Sequence, residues 1–182
     1  MSDERDYAEN LAWHAPKLRE VGEVLKAGGV RLALEFIGPK TIRKDHKYEF
    51  AYSLPRMLEL IDAAGTGNIG TTLDIWHLYT SGGTNADLDT LPLDRVDIVH
   101  VNDAPTGIDR DEQQDLVRAL PLATGVLDIV GFMQRLQKIG FNGPVMPEPF
   151  SKALDDLAAI DPLAAAKETA RSMNELWSAA GL

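Results

Sequence analysis

Four residues able to hold a metal or move a proton occupy equivalent places along the chain. Glu35, Asp74, His100 and Glu148 each lie at or near the end of a short, apolar, β-compatible run. Strands of one parallel sheet would carry three carboxylates and one imidazole to a single rim, the C-terminal edge where parallel α/β folds place their chemistry. Carboxylates brought that close repel one another unless a cation or protons intervene. A divalent metal is the simplest remedy. The oxygen-rich set suits a fairly hard octahedral ion, Mn²⁺ or Mg²⁺, with Co²⁺ or Zn²⁺ as alternatives. Any one of these acids taken alone reads equally well as a polar strand end or a helix cap; four together read as a site. His77, three residues after Asp74, reaches the same rim. His14, on the apolar stripe of a helix, and His46, in a basic loop, read as structural or surface residues. Acids such as Asp111, Glu112, Asp155 and Asp156 read as a solvated face.

The elements that must position these groups follow from periodicity. Tyr7, Leu11, Leu18, Val21 and Leu25 trace one stripe of a helix that ends at Gly28-Gly29. The run from Val30 to Ile37 is stopped by Gly38-Pro39, as a buried parallel strand would be. Ser53 opens a second helix with Met57, Leu58 and Ile61 inward and Gly65 at its end. Asn68 to Asp74 and Val96 to Val101 read as the second and third strands. Asp128 caps a helix bearing Ile129, Phe132, Met133, Leu136 and Ile139. The fourth strand runs from Gly143 to Glu148, and Asp161-Pro162 opens a last helix with Leu163, Ala166, Ala170, Met173 and Trp177 inward. Strands separated by helices, each too far from the next for a hairpin, imply crossovers and a parallel sheet.

Composition narrows the functional classes. The 182 residues suit a single domain, 1–182, and 45% hydrophobic with 25% charged residues is ordinary for a globular chain. No cysteine is present, which removes thiolate ligands and nucleophiles and suits a reducing cytoplasm. A formal charge of -10 gives nucleic acid no basic footprint. Met1 to Asn10 is charged and unlike a signal peptide, and no stretch approaches the roughly 18 apolar residues of a membrane span. The expectation is a cytoplasmic protein with a small-molecule partner, without nucleic acid or membrane.

Several stretches together resemble the xylose isomerase-like TIM barrels, a family of sugar and sugar-phosphate isomerases and epimerases, inosose-processing enzymes and endonuclease IV. They are Leu34-Glu35-Phe36-Ile37-Gly38-Pro39, Leu73-Asp74-Ile75-Trp76-His77, Val99-His100-Val101-Asn102-Asp103-Ala104-Pro105, Gly125-Val126-Leu127-Asp128, and Gly140 to Pro144 leading into Pro147-Glu148-Pro149-Phe150. The resemblance implies that Glu35, Asp74, His100 and Glu148 bind one divalent metal and that His77 contacts substrate. It implies that Arg118 holds a substrate oxygen or phosphate; an ion pair at the surface is the other reading of Arg118, which follows Asp115 by three positions. It makes Glu35 and Glu148 the acid and base that move a proton through an enediolate, giving epimerisation or aldose–ketose isomerisation.

The departures are as informative. A full barrel needs eight β/α units and about 250 residues, whereas four strands can be placed here, matching the family's C-terminal half. The expectation is therefore a half or partial barrel, which would expose two sheet edges and associate as a homo-oligomer. In Pro121-Leu122-Ala123-Thr124-Gly125, where many relatives carry a Pro-Gly-acid-Gly loop, leucine disfavours the positive φ that glycine supplies. The endonuclease IV branch needs an additional Asp-x-His, but the corresponding stretch is Asp128-Ile129-Val130, which argues against DNA repair. The remaining alternative is a non-catalytic remnant that binds a metal or a partner.

Overall fold

The structure, a computed structural model, describes residues 1–182. Helix α1 (Tyr7–Ala27) starts at a capping box in which Asp6 accepts from the Glu9 amide and Glu9 accepts from the Asp6 amide. It leads into β1 (Leu32–Glu35), the short α2 (Lys40–Arg43), and α3 (Leu54–Ala64), which the left-handed Gly65 terminates. Strand β2 (Ile69–Asp74) turns directly into α4 (Ile75–Thr80), and β3 (Val96–Val101) is followed by a long irregular stretch before α5 (Ile129–Lys138). The chain closes with β4 (Val145–Pro147), α6 (Lys152–Ile160) and α7 (Pro162–Ala180). No helix is long and apolar enough to cross a membrane.

The strands form one parallel sheet in sequence order, β1-β2-β3-β4. Pairing places Glu35 beside Thr72, Asp74 beside His100, and His100 beside Met146. Side chains alternate along a strand, so Leu73, Val99 and Val101 point to one face. All three are completely buried, in a core shared with Met57 and Ile61 of α3, Phe132 and Leu136 of α5, and Leu176 of α7. Glu35, Asp74 and His100 share the other face. There Met146 is 43% exposed, and Glu35 and His100 are only partly covered. One face is thus a helix-backed core, the other a partly open face that carries Glu35, Asp74 and His100. β1 and β4 each pair on one side only, leaving both sheet edges free.

Helix α7 buries a face other than the one periodicity suggests, whereas α1 departs only at Val21. In α1 the residues Tyr7, Leu11, Leu18 and Leu25 are partly buried, Leu11 and Leu18 against the core, with Ala15 and Gly22 of the same face buried and Val21 half exposed. A Cβ on Gly22 would sit 2.8 Å from Thr66 Oγ1 and 3.1 Å from Ile69 Cδ1, so absence of a side chain brings α1 close to the start of β2. In α7, Leu163, Ala166 and Ala170 face solvent while Ala165, Ser172, Leu176 and Ala180 are buried; Met173 and Trp177 pack at the core's margin. Ser172 Oγ donates to the Pro121 carbonyl, so a polar contact selects this face. The sequence reading did not place α6, a helix that buries no residue fully.

The loop at 121–125 also corrects the expectation. Leu122 does adopt the left-handed conformation, with φ of 65°, and Gly125 does so at 70°. The compensation comes from Asp103, a completely buried carboxylate that accepts from the amides of Thr124 (3.0 Å), Gly125 (2.8 Å), Leu127 (3.1 Å) and Ala104 (2.9 Å). Charge-assisted bonds of that kind outweigh the roughly 1–2 kcal/mol a non-glycine residue costs in the left-handed region.

Candidate functional site

The four strand ends converge. One potential ligand atom each from Glu35, Asp74, His100 and Glu148 lies within 4.8 Å of the others. Opposed ligands of an octahedral ion bound at 2.0–2.1 Å stand about 4.2 Å apart, and those of a larger ion somewhat further, so the cluster has the dimensions of a cation site. His100 Nδ1 lies 3.4 Å from both Glu35 Oε1 and Glu148 Oε2, which flank it. Neither His100 Nδ1 nor Glu35 Oε1 has a hydrogen-bond partner although both are buried. Unpartnered buried polar atoms are costly, and a divalent cation is a group that would satisfy both. The residues therefore fit a metal of the hard or borderline class.

Asp74 is held most rigidly. As the cap of α4 it accepts from the Trp76 amide at 2.7 Å through Oδ1, to which Asn102 Nδ2 also donates at 3.2 Å. Arg118 Nη1 donates to the other oxygen at 2.7 Å. Complete burial pushes the Asp74 carboxyl up to about 6, with Arg118 and the Trp76 amide pulling the other way and Glu35 and Glu148 adding to the rise. His100 shifts upward, because its contact with Glu35 favours the imidazolium against the effect of burial, and Glu148 and Asp74 reinforce it.

The turn of α4 swings His77 under the same rim, where it is 2% exposed. The Gly38 amide, just past β1, donates to His77 Nδ1 at 3.2 Å. Burial lowers the His77 pKa to about 3, and the charge of Arg118 acts in the same direction, so the ring is neutral. Both ring nitrogens face donors, Nδ1 the Gly38 amide and Nε2 the Arg118 Nη2 at 3.2 Å, and a neutral ring can accept from only one of them.

Arg118 is no surface residue. Its side chain is 1% exposed. The pair of bonds between Asp103 and Ala119 folds the loop back across the end of β3, and the Arg118 amide donates to the Phe150 carbonyl at 3.1 Å. The guanidinium lies between the rings of Trp76, 4.4 Å away, and Phe150, 5.0 Å away. It donates to Asp74, to Glu148 Oε2 at 2.8 Å and to Asp115 Oδ1 at 3.0 Å. Burial works against its charge, but Asp74, Asp115 and Glu148 together raise its pKa.

All six candidate residues, Glu35, Asp74, His77, His100, Arg118 and Glu148, thus belong to one connected group. His14 and His46 lie elsewhere: His14 Nδ1 meets the Asn10 carbonyl and its ring stacks on Phe50, while His46 pairs with Asp3. Residues that sequence reading did not single out also build the site. Asn102 orients Asp74, Trp76 and Phe150 enclose Arg118, and the Gly38 amide meets His77 Nδ1. Only Asn102, beside the strand-end histidine, carried a local signal.

Comparison with known proteins agrees with this architecture. Residues 2–176 match the family described as xylose isomerase-like TIM barrel. An inosose isomerase of Halalkalibacterium halodurans is 30% identical over 155 residues, covering 84% of this chain and 51% of the relative, and one of Bacillus subtilis is 28% identical with the same coverage. The chain spans about half the length of these curated relatives. A xylose isomerase domain protein from Alicyclobacillus acidocaldarius superposes over 100% of this chain and 62% of its own, with a TM-score of 0.83 and 28% identity. The IolI protein, in a structure with a binding zinc atom, superposes over 98% of this chain and 60% of its own, with a TM-score of 0.80 and 20% identity.

Proposed function

The chain belongs to the xylose isomerase-like TIM barrel family, and on that premise we propose that it binds one divalent metal and isomerises or epimerises a sugar or inosose by proton transfer. The four ligand atoms within 4.8 Å of one another carry this reading, two of them buried and unpartnered. The inosose isomerase relatives and the zinc-containing structural neighbour support the substrate class and the type of ion. We read the four β/α units as the C-terminal half of a barrel, 1–182 forming one partial domain; the two unpaired sheet edges support this and make self-association the expected state.

A metal held by Glu35, Asp74, His100 and Glu148 would supply Lewis acidity, polarising a carbonyl oxygen and so acidifying the adjacent C–H. The residues divide the remaining work. Glu35 and Glu148 stand on either side of His100 on the partly open face. Each can direct one oxygen into the cluster and keep the other to take up or return a proton, so removal on one face of a substrate and return on the other is accessible. His77 and Arg118, side by side under the rim, are the polar groups placed to meet a substrate oxygen. Asp74, both of whose oxygens are held by neighbouring donors, is assigned ligation alone.

Exchange of a substrate C–H with D₂O, followed by NMR over a panel of ketoses and inososes, tests the reading. Exchange should appear with Mn²⁺ and vanish on chelation. A chain that binds Mn²⁺ yet exchanges no member of the panel would instead be a binding remnant, and the enzymatic reading would be wrong.

A further inference from the structure

We propose that Arg118 is a positioning residue of the ligand cluster: its guanidinium substitutes for a divalent cation between Asp74 and Glu148 and releases both when the ion enters. The proposal rests on reading the cluster as a cation site.

Nη1 lies 2.7 Å from Asp74 Oδ2 and 2.8 Å from Glu148 Oε2, bridging carboxylates from two different strand ends. A positive group placed so relieves the repulsion that would otherwise drive the two apart, and the oxygens stay grouped in the absence of metal. With its side chain 1% exposed, the charge is tolerable only because carboxylates surround it.

Two features make the arrangement releasable. The guanidinium leaves Glu35 Oε1 and His100 Nδ1 unpartnered, so it completes only part of what a cation would. Nη2, 3.2 Å from His77 Nε2, and the Gly38 amide, 3.2 Å from Nδ1, compete for the one acceptor nitrogen of the neutral ring. One of the two donors therefore goes unmatched. Once displaced from Asp74 and Glu148, Arg118 keeps its bond to Asp115 and remains in the site, while its guanidinium shifts against the rings of Trp76 and Phe150.

The test uses the chelator-stripped chain, Mn²⁺ titrations by calorimetry, and Trp76 emission with Trp13 and Trp177 replaced by Phe. R118M should bind Mn²⁺ roughly tenfold more tightly than the Arg118 protein, having no buried ion pair to break. Its metal-free form should melt lower, and R118K should restore part of both properties. Mn²⁺ should change Trp76 emission in the Arg118 protein and leave it unchanged in R118M. Equal or weaker binding by R118M, or silent Trp76 emission as the Arg118 protein saturates, overturns the proposal while leaving the cation site standing. If R118M does not fold, R118K affinity and the Arg118 emission titration decide on the same terms. Failure of both the Arg118 and R118K proteins to bind Mn²⁺ refutes the cation reading and this proposal with it.

Discussion

The Gly38 amide donates to His77 Nδ1 at 3.2 Å, tying the loop after β1 to the first helical turn after β2. A side chain on Gly38 would fall inside contact distance of the His77 carbonyl oxygen, 2.7 Å from Thr80 Oγ1 and 2.9 Å from the Ser81 amide. G38A should therefore cost about 2 kcal/mol of stability through overpacking against backbone. It should also loosen His77. Urea unfolding measures the first effect and the ¹⁵N spectrum of the imidazole the second; an unperturbed midpoint would show that α4 accommodates the methyl group.

Asp103 should prove structural rather than catalytic. D103N keeps the shape of the side chain but sets an amide against backbone N–H groups that now donate to a carboxylate. The loss should be about 3 kcal/mol. Amide hydrogen exchange should accelerate at Thr124, Gly125 and Leu127 before the rest of the chain, whereas uniform acceleration would mean that Asp103 does not hold this loop.

Glu35 and Glu148 are each assigned proton transfer as well as ligation. E35Q and E148Q preserve size and an oxygen ligand while removing the proton acceptor, so each should lower substrate C–H exchange by about 10² or more. Mn²⁺ affinity measured on the same preparations separates the two roles. A variant that binds Mn²⁺ normally and exchanges normally has no acid–base task.

Metal binding should appear as stability. At a free Mn²⁺ concentration of 100 times Kd the native state gains about 2.7 kcal/mol, a rise of roughly 5–10 °C in Tm for a chain of this size. H100A and D74N should abolish that rise, and the chelator should reverse it in the unmodified chain. A Tm rise that survives in both variants would place the ion elsewhere.

The alternation of apolar runs with helical stripes and the acid or imidazole closing each run were enough to derive a parallel sheet with its chemistry on one rim, because strand period and strand-end polarity are local properties. Asp128 and Asp161 were readable as caps for the same reason, and each accepts the amide three residues on. Helix α1 buries the stripe that periodicity traced except at Val21, whereas the buried face of α7 was not readable, because Ser172 turns inward to Pro121, a partner far along the chain. Nor was the left-handed Leu122, which depends on Asp103 from the preceding strand end.

The sequence by itself determined which side chains reach the rim, since alternation along a strand fixes the face each one takes once neighbours are in register. Only the tertiary structure decided how those groups are charged and occupied. Arg118 is an ordinary loop arginine in the chain, and becomes the buried partner of Asp74 and Glu148 only because Asp103, Ala119 and Phe150 fold its backbone over the strand ends. The two donors that face the His77 ring, the Gly38 amide and Arg118, likewise come from 39 and 41 residues away. Electrostatics of this kind depend on distance and burial, which no local pattern encodes.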